Sequence, residues 1–344
     1  MSSLSEARPA PPLPKLMTAP ELRKIGARYR IRQSAIFVVG IFVVTQLGSI
    51  IFGAVRGNSF AYLSEPNIVT ALQQIPLVGI AAIGIGLLMI AGEFDLSIGA
   101  NAIFSSIVMA QLASAGLSLW LSALVGLGIG AGIGLLNGVL TLTLRIPSFI
   151  TTLGTLGIWS AATLFVHGSA AETFVPYGAF RVLTSGQFGW IPAETIWFIL
   201  IGVAFYFVLQ RSSTGNHIFA AGGNRAAAVA SGVNVPRAKL FAFTVAGALA
   251  AVSGMLAASR IQSISPGDVT TLPLQAIAAA VIGGVVLTGG TGTILGMMLG
   301  ATLIYWIQDV LLLSAAPGYY LTAFVGALII VAASIYEMFR RRNA

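Results

Sequence analysis

The sequence predicts an all-α integral membrane protein of about ten transmembrane helices, with both termini in the cytoplasm. Three observations carry this. The 344 residues are 57% hydrophobic and only 8% charged, with a mean hydropathy of +0.93, whereas soluble domains carry roughly a quarter charged residues. Apolar stretches near the length of about 20 residues that a span requires recur along the whole chain. The Lys and Arg residues sort by loop: in a ten-span arrangement fifteen fall on the inner segments, and only Arg56, Arg181 and Arg260 fall outside. Such a bias sets orientation.

Residues 1–33 hold seven of the eighteen Lys/Arg together with Pro9, Pro11, Pro12, Pro14 and Pro20. The apolar run after them is too long for the core of a secretory signal. The segment therefore reads as a cytoplasmic tail, with 21–32 forming a short basic helix at the membrane surface. Hydropathy places spans at 34–55, 67–91, 97–116, 118–144, 147–167, 194–210, 238–258, 273–288, 293–313 and 318–338. The eighth is short and glycine-containing, which marks it as a broken or half-depth helix. A basic cytoplasmic C-terminus, 339–344, follows the transmembrane domain of 34–338. This arrangement puts 168–193 and 259–272 outside and a loop at 209–240 in the cytoplasm.

Composition excludes several functions. There is no cysteine, hence no disulfide or thiol chemistry. The net charge of +8 is concentrated at the chain ends beside spans, as the positive-inside rule requires, so it is not a nucleic-acid surface. None of Lys15, Lys24 and Lys239 sits in a GxxxxGK[ST] phosphate loop, so ATP hydrolysis is not expected of this chain. His167 and His217 are the only histidines and fall on opposite sides of the membrane, which argues against a zinc site. Ser253-Gly254 and Pro266-Gly267-Asp268 both lack the upstream glycine of the intramembrane protease motifs. The chain is read as no enzyme.

The polar residues that remain are few. Gly92-Glu93-Phe94-Asp95-Leu96-Ser97-Ile98-Gly99 places two carboxylates between apolar runs. Ionisable groups at membrane depth are costly and mark function, so Glu93 and Asp95 are candidate proton carriers or gate residues. The glycines on both sides favour a turn in which Asp95 or Ser97 caps the next helix. A second turn, Gly289 to Gly296, has the same glycine separation and lies between spans eight and nine, a candidate internal repeat. Gly126, Gly130, Gly134 and Gly138 form a four-residue ladder in span four, the pattern of a face that another helix backbone approaches closely. Asn137 beside that ladder must point into the bundle. Gln73, Gln74, Thr151, Thr152, Thr155, Gln275, Gln308 and Asp309 are the other polar groups within spans. They suit either a path for a hydroxylated solute or hydrogen bonds between helices.

The loop 209–240 is rich in Gly, Ala and Asn and carries Arg211, Arg225, Arg237 and Lys239. That composition suits short helices pressed against a partner. With this loop included, four stretches in order resemble the permease subunits of bacterial ABC importers of the ribose type. Gly92–Gly99 looks like the family's GGIDLS turn, and 138–157 like its RIPSFI-TLGT segment. Gly215–Gly232 is similar to its Ala-x-Gly-Asn element, and Gly283–Gly300 to its glycine-rich stretch.

The resemblance implies a multi-pass inner-membrane permease, a homodimer or a pair of related permeases around a central path. It also implies a periplasmic binding protein that delivers a monosaccharide, a pentose or a related sugar. A separate ABC ATPase would bind ATP and Mg, with no cofactor on this chain. Gly215, Ala221, Gly222, Gly223, Asn224, Arg225, Ala226, Ala227 and Gly232 would form the contact with that motor. The chain departs from the family turn at Glu93 and Phe94, where Glu93 adds a carboxylate near the inner leaflet. A branched-chain amino acid permease is the near alternative. An ion-coupled secondary transporter using Glu93, Asp95 or Asp309 is the distant one.

Overall fold

In the computed structural model, residues 64–267 and 271–313 are described, together with Val43, Leu47, Tyr62, Pro317, Tyr319, Tyr320, 323–327 and Ile330. The expected tail 1–33, the C-terminus 339–344 and most of the first and tenth expected spans lie outside the described residues. The regular secondary structure of the described residues is helical apart from four two-residue strands.

The helices are α1 (Glu65–Ile90), α2 (Ile98–Ser114), α3 (Leu119–Leu144) and α4 (Ser148–His167). After them come α5 (Gly178–Ser185), α6 (Ala193–Arg211), α7 (Ser213–Gly223) and α8 (Arg225–Ala230). The series closes with α9 (Val235–Ile261), α10 (Thr271–Ile282) and α11 (Ile294–Leu313). Six of these are long and apolar enough to cross a membrane: α1, α3, α4, α6, α9 and α11. The apolar helices α2 and α10 are shorter, at 17 and 12 residues.

The eighth expected span is corrected by this. Its helix stops at Ile282, well before 288, because Gly283 and Gly284 follow and Gly284 takes a left-handed φ of +88°. At 1.5 Å per residue α10 is about 18 Å long, against a hydrocarbon core of about 30 Å.

Helix ends follow local chemistry. Arg145 ends α3 in the left-handed region, φ 56°, and Pro147, which cannot continue a helix, stands just before α4. Ser212, Asn224 and Asn234 cap α7, α8 and α9, accepting from the main-chain N–H groups of Gly215, Ala227 and Arg237. Pro76 lies inside α1 and leaves the Leu72 carbonyl without its helical donor. Thr195 of α6 donates its hydroxyl to that carbonyl, and Ser253 of α9 donates to Leu77 O at 2.6 Å. In lipid, a freed carbonyl needs such a replacement.

The core is α1, buried along most of its length, with α9, α10, α11 and α6 around it. The most extensive packing joins α3 to α9, and the glycine ladder is the reason. A Cβ on Gly130 would strike Ala251 and one on Gly134 would strike the Phe243 carbonyl. A Cβ on Gly138 would lie 3.1 Å from Phe243 Cβ, and one on Gly247 of α9 would strike the Gly130 carbonyl. Gly128 and Gly132 point to open space. By contrast Leu153, Ile158, Leu200 and Val203 are exposed on α4 and α6, as lipid-facing positions are.

Between α4 and α6 the chain makes strand β1 (Glu172–Thr173), α5, and a hairpin of β2 (Gln187–Phe188) with β3 (Ile191–Pro192). β1 pairs antiparallel with β4 (Ser263–Ile264), which follows α9. Phe180 of α5 packs edge-on against Trp120 and Phe174.

Candidate functional site

Three backbone segments meet at the end of the bundle that carries α7 and α8. Ile90 is the last residue of α1, and its carbonyl accepts from Gly290 N at 2.8 Å. Gly92 and Gly289 both adopt left-handed φ, +81° and +88°, so the two turns singled out in the sequence bend alike. Gly222 of α7 lies between them: a Cβ there would strike the Ile90 carbonyl and sit 2.9 Å from Gly290 N. A Cβ on Gly289 would lie 3.0 Å from Gly92 Cα and 2.9 Å from Gly222 O. Only glycine lets all three backbones approach this closely.

The turn after α1 holds a buried polar network. Asp95 Oδ1 accepts from Ser97 N at 2.8 Å and from Ser97 Oγ at 2.6 Å, and Oδ2 accepts from Asn137 Nδ2 at 3.0 Å. Asn137 Nδ2 also donates to Ser97 Oγ at 2.8 Å. Ser148 Oγ and Thr152 Oγ1 of α4 accept from Phe94 N and Leu96 N. Burial pushes the Asp95 carboxyl above its ordinary range, against the bonds from Ser97 and Asn137 that favour the charged form. It is Asp95, rather than Ser97, whose side chain takes a main-chain N–H at the head of α2.

Glu93 points the other way, to Lys239 at the start of α9, with Nζ to Oε1 at 2.5 Å. Both side chains are nearly buried, at 12% and 11% exposure. A residue of the loop 209–240 is thereby tied to the α1–α2 turn. Sequence reading counted Lys239 only as a loop charge, since nothing in a linear chain pairs positions 146 apart.

The remaining candidates divide by location. Gly215 and Ala221 are buried, Gly222 is half-buried, and Gly223, Asn224, Arg225, Ala226, Ala227 and Gly232 are exposed. The small residues of this loop therefore do two things. Gly215, packed against the Leu209 carbonyl, and Gly222 seat the loop on its own chain, while the stretch 223–227 faces outward. Thr151 and Thr155 are buried, and their hydroxyls donate to Pro147 O and Thr152 O within α4. Gln73 and Gln74 are half-buried on α1. At the opposite end of the bundle Asp309 Oδ2 accepts from Asn67 Nδ2 at 2.7 Å, while Gln308 Nε2 has no partner.

Asn101 escaped the sequence reading. Its Nδ2 donates to the carbonyls of Gly130 and Gly247, at 3.1 and 3.2 Å, and so stitches α2 to both α3 and α9. Glu194 and Arg260 also escaped it, although an isolated carboxylate opening a long apolar span is itself a signal. Among the described residues no cluster of metal-ligating side chains is found.

Comparison with known proteins joins this geometry to a family. Residues 67–333 match the family model described as branched-chain amino acid transport system / permease component. The chain belongs to this permease family. The permease is 31% identical to the ribose import permease protein of Bacillus subtilis, over 86% of this chain and 89% of the relative. With the L-arabinose ABC transporter permease protein of Azospirillum brasilense it shares 30% identity, over 100% and 98%. With the autoinducer 2 import system permease protein of an Enterobacter species it shares 33%, over 83% of each chain. No solved structure gives a significant match to the permease. The permease is a multi-pass membrane subunit of an ABC importer, as its relatives and its six apolar helices show.

Proposed function

We propose that this subunit forms the membrane path of an ATP-driven importer for a monosaccharide, a pentose or a related sugar. The individual relatives named for ribose, L-arabinose and fructose support a sugar over the branched-chain amino acids of the family description. In this reading a periplasmic binding protein hands the sugar to the outer face. A separate ABC ATPase, which holds ATP and Mg, engages the inner face. Two permease copies, or this one and a related chain, enclose the path in the bacterial inner membrane. About ten spans with both termini inside complete the topology.

The observation that carries the reading is the outward-facing stretch Gly223–Ala227, presented by α7 and α8 and seated on the bundle through Gly222. Arg225 adds a cation to that face. Movement imposed there passes through Gly222 to both glycine turns, and through Lys239–Glu93 to the head of α2. A self-sufficient ion-coupled carrier fits less well, because Glu93, Asp95 and Asp309 are each already bonded to protein groups.

The test is uptake into proteoliposomes holding the permease, its ATPase and its binding protein, with an ionophore present. Ribose, arabinose, fructose and leucine are offered in turn. ATP-dependent uptake of a sugar that ignores the ionophore is the expected result. Uptake of leucine alone would move the permease to the amino acid branch. Uptake by the isolated chain that collapses with the ion gradient would refute the importer reading.

A further inference from the structure

We propose that Ser148 and Thr152 are positioning residues that tie α4 to the α1–α2 turn, so that α4 swings as one rod when the loop 209–240 moves. The inference rests on the ATP-driven importer reading and names the helix on which the loop's movement arrives.

In lipid, helices are held together by close backbone fit and by hydrogen bonds rather than by apolar attraction. α4 lacks the close fit. It is the least buried of the six spanning helices. A Cβ on Gly154 or Gly157 would meet nothing within 4 Å, unlike the ladder of α3. No apolar side chain of α4 joins either apolar cluster of the described residues. Its buried residues are Ser148, Thr151, Thr152, Thr155 and Thr163, every one a hydroxyl. One ring contact stands midway, Trp159 against Phe104 of α2 at 5.1 Å. A helix docked in this way has few interlocked apolar groups to separate when it shifts.

The buried hydroxyls divide by where they bond. Thr151, Thr155 and Thr163 donate to the carbonyls of Pro147, Thr152 and Trp159, within α4 and its cap. Ser148 Oγ and Thr152 Oγ1 reach out of the helix, accepting from Phe94 N at 3.0 Å and Leu96 N at 3.1 Å. Thr152 Oγ1 also donates to Ser148 O at 2.8 Å, which leaves its lone pairs for the turn. Four helical residues rise about 6 Å, and two residues of extended chain span about 6.6 Å, so the two ties fall in register. Residues 93–96 are thereby bonded in order to α9, α4, α3 and α4. Glu93 meets Lys239 at 2.5 Å and Asp95 accepts from Asn137 at 3.0 Å, with Phe94 on Ser148 and Leu96 on Thr152. Displacement of Lys239 therefore reaches α4 through adjacent residues of one short segment. At the far end Gln111 Nε2 of α2 donates to Val166 O at 3.4 Å, and His167 Nδ1 meets Glu172 at 3.1 Å. That end serves as the pivot.

The chain has no cysteine, so a single Ile158→Cys carries a spin label without background, and Ile158 is 63% exposed on α4. The labelled permease is reconstituted in proteoliposomes with its ATPase and its binding protein, and D-ribose, L-arabinose, D-fructose and leucine are offered. The label's accessibility to a water-soluble nickel chelate is read with and without ATP. The expected result is a change in accessibility on ATP when Ser148 and Thr152 are intact. In Ser148→Ala/Thr152→Val that change is lost and solute imported per ATP hydrolysed falls about tenfold, the scale of a coupling free energy, while hydrolysis continues. Ser148→Thr/Thr152→Ser keeps both acceptor oxygens and is expected to restore both readouts, which a role in packing alone would not do. Persistence of the ATP response or of the wild-type uptake ratio in Ser148→Ala/Thr152→Val would overturn the tie. Should that variant fail to assemble, Thr152→Val alone and the intact permease decide. Thr152→Val equal to wild type in both readouts, or a label on the intact permease that ignores ATP while solute is imported, would overturn the proposal. Absence of ATP-dependent uptake of all four solutes by the intact permease would overturn the importer reading itself, and this inference with it.

Discussion

Asp95 shows how a single residue's role is decided by its partners. In a chain read as letters it is a carboxylate near the membrane, equally suited to carry a proton or to hold a turn. Its oxygens accept from Ser97 N, Ser97 Oγ and Asn137 Nδ2, so it organises the turn. Asp95→Asn keeps one acceptor for Ser97 N, and the free Asn137 Oδ1 can turn to take the new amide. That variant is expected to retain assembly and uptake. Asp95→Ala takes the acceptor from all three buried donors, at about 1–3 kcal/mol for each one left unsatisfied, and is expected to lower the melting temperature clearly. Thermal unfolding of both in detergent checks this; equal melting of the two would refute the network's role. Gly222 and Gly223 differ in the same residue-level way. A Cβ at Gly222 strikes backbone, while one at Gly223 finds Gly290 Cα at an ordinary 3.6 Å. Gly222→Ala should therefore disturb folding, and Gly223→Ala should not. A bulky Gly223→Trp is expected to leave the permease assembled but to separate ATP hydrolysis from uptake, read as ATP consumed per sugar imported.

At the scale of elements, the contact between α3 and α9 is made by absence of side chains. Gly126, Gly130, Gly134 and Gly138 were legible as one face because a spacing of four repeats on a helix. Which helix they meet was not legible, since α9 begins about a hundred residues later. The face is directional. Gly134→Leu pushes against the Phe243 main chain, an overpacking worth about 1–3 kcal/mol or more, and should reduce the folded yield. Gly128→Leu, on the open side of the same helix, should match wild type in size-exclusion profile and melting. Similar losses from both substitutions would mean that the ladder does not set the packing. The short α10 was legible in part: its glycines signalled a break, but the stop at Ile282 comes from the left-handed Gly284 and the close approach of Gly283 to Gly296.

For the whole molecule, the informative contact is the one that joins the loop to the bundle. Glu93 and Lys239 sit almost buried and bonded, so removing one partner strands the other. Lys239→Met alone and Glu93→Gln alone are each expected to destabilise more than the double replacement, because breaking a buried pair costs about 3–5 kcal/mol while replacing both members is nearly neutral. A double-mutant cycle on melting temperature measures this. Strict additivity would show that the pair is not coupled. The same cycle read on uptake per ATP tests whether the tie transmits motion from α7 and α8 to the α1–α2 turn.

The sequence by itself determined the membrane class, the order of the apolar helices and the family, because hydropathy, charge bias and motif spacing are local and survive without coordinates. It located the glycine turns, the ladder and the loop with its short helices. The tertiary structure alone decided that Gly92, Gly222 and Gly289 converge, that Glu93 answers Lys239, and that Asn101 stitches α2 to α3 and α9. These pairings join residues far apart in the chain, and a membrane bundle selects them by which backbones can approach and which buried polar groups must be satisfied.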